Sequence, residues 1–136
     1  MDSELKVTIF EEREILHVLL ELLDKQYELV LSKNVMELEN VSNELSDISR
    51  KLAAIELKRR DLIKEIDFID SLEKSQDMSV KSAFESIKST IKNIQLQKYT
   101  NDILIKQQLF FTNKMINVIK SPDNIGTYNA LGKIGR

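Results

Sequence analysis

Neither glycine nor proline occurs anywhere in residues 1–121, and the chain's breakers, Pro122, Gly126, Gly132 and Gly135, all fall in its last fifteen positions. In a helix interior these residues cost roughly 1 kcal/mol (Gly) and 3 kcal/mol (Pro) relative to alanine, so their absence over such a length selects for helix. The expected fold is all-α: an antiparallel long-helix hairpin or bundle of three to four helices with a flexible C-terminal tail. The expected division is a helical bundle domain over residues 1–121 and a tail over 122–136. At 136 residues the chain is large enough for one hydrophobic core.

The apolar periodicity locates the helices. From about residue 4 to 31 two neighbouring rows run along one helix, Ile9, Leu16, Leu20, Leu23, Tyr27 and Val30, beside Ile15, Leu19, Leu22 and Leu29. Ser32-Lys33-Asn34 breaks the pattern, and Asn34 stands three residues before Glu37 as in a capping box. Over residues 35–73 a seam of steps alternating three and four follows: Leu38, Val41, Leu45, Ile48, Leu52, Ile55, Arg59, Leu62, Ile66 and Ile69. Arg59 occupies an apolar slot there, so its stem is expected to cover the core while its head pairs with Glu56 or a carboxylate of the first helix. Residues 75–79 are the next polar break, with Ser79 or Ser82 as the expected cap. Residues 79–120 read as one kinked helix or two, because the stripe Val80, Phe84, Ile87, Ile91, Ile94 slips phase to Leu96, Tyr99, Ile103, Phe110, which places a kink or a break near 94–97, one long curved helix being the alternative. Residues 103–119 carry more apolar side chains than one bundle face can bury. In the tail, Ile125, Tyr128, Leu131 and Ile134 are spaced three apart.

Charge is graded along the chain: residues 1–32 carry a net −5, residues 33–75 a net −2 and residues 76–136 a net +5. The lysines after residue 80 are scattered singly, without an arginine cluster or an aromatic platform, so nucleic-acid binding is not expected. The N-terminus is acidic and the run Ile15–Leu23 is short and interrupted, so neither a signal peptide nor membrane insertion is expected, and a cytoplasmic location is.

Chemistry is sparse. With no cysteine, thiolate metal sites and a cysteine nucleophile are excluded. The single histidine, His17, is expected on the charged face of the first helix with Glu14 and Glu21 in reach. Glu14-x-x-His17 is one copy of an element that di-iron bundles use twice. A histidine phosphotransfer role is disfavoured because Val18, Leu19 and Leu20 crowd His17. No triad and no glycine-rich phosphate loop can be assembled. No catalytic residue, metal ligand or cofactor is expected, and a binding protein is.

Ile55-Glu56-Leu57-Lys58-Arg59-Arg60-Asp61-Leu62-Ile63 resembles the Leu/Ile-Glu-x-x-Arg-x-x-Leu-Leu stretch of FlgN-type flagellar export chaperones. Thr127-Tyr128-Asn129-Ala130-Leu131-Gly132 is similar to that family's Thr-Tyr-Asp/Asn-x-x-Gly tail, with Leu131 where many relatives carry a polar residue. The leucine-rich opening with its short turn fits the family's first hairpin. The resemblance implies a cytoplasmic type III secretion chaperone that covers the amphipathic C-terminal helix of hook-associated proteins and delivers them to the export gate and its ATPase complex. Taken with the apolar excess, it makes Leu109, Phe110, Phe111, Met115, Tyr128 and Leu131 the candidate partner-binding residues. A monomer or weak homodimer is expected. The rival reading is a structural or regulatory coiled coil that self-associates through the 38–69 seam.

Overall fold

The computed structural model describes residues 3–63, 72–74 and 76–120. It contains three long helices: α1 (Ser3–Leu31), α2 (Val35–Ile63) and α3 (Met78–Lys120). Residues 72–74 are also helical, and no strand occurs among the described residues. The tail, the seam positions Ile66 and Ile69, and Ser75, the first residue of the polar break before α3, lie outside them. The chain forms two compact units, Met1–Asn101 and Asp102–Arg136.

The first turn is built without glycine. Lys33 takes φ 58°, the left-handed conformation that usually selects glycine after a helix. Around it the amide of Asn34 donates to the Leu29 carbonyl (3.0 Å) and that of Lys33 to the Val30 carbonyl (3.2 Å), a Schellman closure of α1. Asn34 then caps α2, its Oδ1 accepting from the Glu37 amide at 3.2 Å. Two adjacent residues thus end one helix and begin the next, and α2 returns antiparallel along α1.

The α2 seam is buried as the spacing predicts. Val41, Ile48 and Ile55 are buried, Leu38, Leu45, Leu52, Arg59 and Leu62 half-buried, and this face packs on α1. Within residues 38–62 the heptad surface is therefore occupied inside the chain, which leaves the rival coiled coil without its contact surface there.

α3 is capped by Asp77, not by Ser79 or Ser82. Its Oδ1 accepts from the Ser79 amide (3.0 Å) and the Val80 amide (3.4 Å), while Lys6 of α1 pairs with its other oxygen. Of the two expected forms, one helix or two, the chain adopts one: Met78–Lys120 is continuous over 43 residues, with no break near 94–97. The buried or half-buried row is Val80, Ala83, Ile87, Thr90, Ile94, Gln97 and Asn101, alternating steps of three and four with no slip. The apolar residues that imposed the apparent slip, Leu96 and Tyr99, are exposed.

The core of the first unit gathers Leu5, Ile9 and Leu16 of α1 with Leu72 and with Val80, Ala83 and Ile87 of α3. Leu52, Leu62 and Ile63 of α2 pack against it. The polar pairs of α1 with α3, Lys6 with Asp77, His17 with Ser86 and Leu23 with Asn101, rise together along both helices. α3 therefore runs parallel to α1, and the first unit is an up-down-up bundle.

Candidate partner-docking surface

Residues 102–120, the described part of the second unit, are helical and mostly exposed. Four of the six sequence-predicted binding residues lie here: Leu109 is 58% exposed, Phe110 69%, Phe111 61% and Met115 47%. Ile116, Val118 and Ile119 are exposed as well. Consecutive positions on a helix point about 100° apart, so Leu109, Phe110 and Phe111 cannot share one narrow stripe. A helix apolar around most of its circumference presents more than one face to an incoming partner. Lys114 lies over the Phe110 ring, its Nζ 5.9 Å from the centroid, and supplies a cation to the same surface. Tyr128 and Leu131, the remaining two predicted residues, lie outside the described residues.

The motif residues of α2 do a different job. Ile55 is buried, and Arg59 donates from Nε to Glu12 Oε2 at 2.6 Å. Glu12 was not anticipated as a core residue, yet its side chain is only 3% exposed. It replaces an apolar residue in the α1 row Leu5, Ile9, Glu12, Leu16, as Arg59 does in the α2 seam. Two charges in facing apolar slots make a pairwise match that holds the two helices in one register. Burial pushes the Glu12 carboxyl above the usual glutamate range, Arg59 opposes that shift, and the nearby Glu56 adds to it. The pair borders a cavity of about 180 Å³ lined also by Ile9, Phe84, Ile87 and Ile91.

His17 is half-buried against α3, its Nε2 3.4 Å from Ser86 Oγ, which corrects its expected place on the charged face. A phosphoryl acceptor needs an open approach, and a helix neighbour stands here instead. No group of three or more His, Cys, Asp or Glu side chains capable of holding a metal converges among the described residues. No helix among them is long and apolar enough to cross a membrane.

With the paired Arg59 motif and the exposed apolar helix in place, comparison with protein families is decisive: the model of the FlgN protein family matches residues 1–135. The chain belongs to the FlgN family. That family is one of chaperones in flagellum biogenesis and export, and its all-helical expectation agrees with the bundle described above. No curated protein and no solved structure matches the chain. In this FlgN-family chain Ile55 and Arg59 of the motif are thus architectural, and Leu109, Phe110, Phe111 and Met115 are exposed.

Proposed function

We propose that this FlgN-family chain is a cytoplasmic type III secretion chaperone that binds hook-associated proteins at the hook–filament junction before export. It covers their amphipathic C-terminal helix, keeps them unpolymerised and delivers them to the export gate and its ATPase components. The observation that carries the reading is the exposure of Leu109, Phe110, Phe111 and Met115 on one helix. An amphipathic partner helix supplies anchors spaced three and four apart and removes these rings from water. Tyr128 and Leu131 of the tail join the same surface in this reading, and the chaperone works as a monomer or weak homodimer without cofactor or catalysis.

Buried aromatic anchors commonly contribute about 2 kcal/mol or more to an interface. Tyr128→Ala, or deletion of 122–136, is therefore expected to weaken binding about tenfold or more while leaving helicity unchanged. The measurement is calorimetric titration of full-length and 1–121 protein with the C-terminal fragment of a hook-associated protein, with circular dichroism on each. Equal affinities remove the tail from the mechanism. Unchanged binding after Phe110 and Phe111 are also replaced moves the site elsewhere, to the first hairpin.

A further inference from the structure

The contact that joins Glu12 to Arg59 leaves hydrogen-bonding capacity on both. Arg59 Nε donates to Glu12 Oε2, and among the described residues neither side chain makes another hydrogen bond. Nor does any fully enclosed side-chain nitrogen or oxygen there lack a partner, so Glu12 Oε1 and the two amino nitrogens of Arg59 border open space. The Glu12 side chain is only 3% exposed, and the space beside it is the cavity of about 180 Å³ that it lines.

All three helices of the first unit contribute to that cavity. Ile9 of α1 and Ile87 of α3 are buried and form its inner wall, with Phe84 half-buried beside them. Lys88 and Ile91 are exposed and form its outer margin, Lys88 lying over the Phe84 ring with Nζ 4.7 Å from the centroid. A cavity of about 150 Å³ with isoleucine, leucine and phenylalanine walls admits a benzene-sized ring. The polar end then selects what the ring carries. An anion would meet the Glu12 carboxylate and a cation the Arg59 guanidinium. A bare hydrocarbon would strip water from both without replacing its hydrogen bonds. A hydroxyl donates and accepts through one oxygen, so it can satisfy carboxylate and guanidinium together.

We propose that this cavity binds a single-ring phenol, its ring against Ile9, Phe84 and Ile87 and its hydroxyl bridging Glu12 Oε1 and an amino group of Arg59. The site lies within the first unit, uses none of the residues of the proposed substrate surface, and stands or falls independently of it.

The probes are p-cresol and toluene, which differ by the hydroxyl alone, titrated into the full chain with isoleucine methyl groups observed by NMR. The Ile9 and Ile87 methyl signals are expected to shift with p-cresol at a dissociation constant on the order of 1 mM, as suits a ligand of so few atoms. Toluene should bind at least about tenfold more weakly. Ile91→Trp, at the exposed margin, should block the cavity and abolish both responses with circular dichroism unchanged. Glu12→Leu with Arg59→Met replaces the pair by apolar groups and should bind the two probes equally. N-acetyltyrosinamide carries the same phenol on a backbone. Its binding as p-cresol binds assigns the cavity to a tyrosine side chain of another polypeptide, and its exclusion assigns it to a free phenol. Absence of methyl shifts up to about 5 mM p-cresol, about five times the expected constant, would overturn the proposal. Equal affinity of the parent for p-cresol and toluene, or p-cresol binding unchanged in Ile91→Trp, would do the same.

Discussion

Arg59 and Glu12 show how much one pair can decide in a hairpin of this kind. Removing the guanidinium leaves an almost fully buried carboxylate without its partner, a loss of about 3 kcal/mol at neutral pH. The pH dependence has a definite sign. Glu12 binds its proton more tightly folded than unfolded, so stability falls as pH rises from the ordinary glutamate value of 4.5 through its raised folded value. In Arg59→Ala that window extends further upward, so the variant's deficit should shrink on acidification, as read by urea unfolding across pH 4–7. Glu12→Gln should flatten the same profile. Asp77 runs the other way: the Lys6 ammonium, with the Ser79 hydroxyl, holds its carboxyl well below the usual range, so its contribution is lost only under strong acid. Lys33 offers a test in the opposite direction. A β-carbon in the left-handed region is strained, and Lys33→Gly should stabilise the chain by about 1 kcal/mol, raising the melting temperature by about 3 °C.

Among the elements, α3 is held in two chemically distinct ways. Its first turns present Val80, Ala83 and Ile87 to the core, whereas Gln97 and Asn101 continue the same row with amides. Asn101 is fully buried and donates from Nδ2 to the Leu23 carbonyl (2.8 Å) and to Gln26 Oε1 (2.9 Å), while accepting from Gln97 Nε2 (2.9 Å). Asn101→Ala removes these bonds from a dry site and should cost about 1–3 kcal/mol. Hydrogen exchange should accelerate around residues 94–101 and stay slow around 80–87. The same row explains what the sequence could and could not show. α1 and α2 were legible because apolar residues mark their buried faces and Asn34 marks the turn. The continuity of α3 was hidden because Ala83, Thr90, Gln97 and Asn101 occupy its inner positions while Leu96 and Tyr99 occupy outer ones, so the eye follows the wrong face. Glu12 was missed for the same reason, a charge in an apolar slot, although the matching anomaly at Arg59 was visible and correctly sent it to a carboxylate. The apolar excess of 103–119 was legible as composition, and its exposure required the fold.

For the whole molecule, the end of α3 poses a problem of colloidal stability. Under the proposed function, a protein that keeps another from assembling must itself stay dispersed before the partner arrives. The exposed apolar residues Ile103, Leu109–Phe111, Met115, Ile116, Val118 and Ile119 are separated or closed by Lys106, Lys114 and Lys120, each exposed. Such interspersed charges act as gatekeepers: each extra copy brought into apolar contact must also bring like charges together or strip them of water. Replacing the three lysines with glutamine should therefore lower the saturating concentration of the free protein, seen by light scattering, with little change in its melting temperature. Saturating a variant with its partner helix should restore its solubility, because the same side chains are then covered. The lysines would then mark a kinetic allowance, the interval during which an unladen chaperone can wait in a crowded solution without joining its own kind.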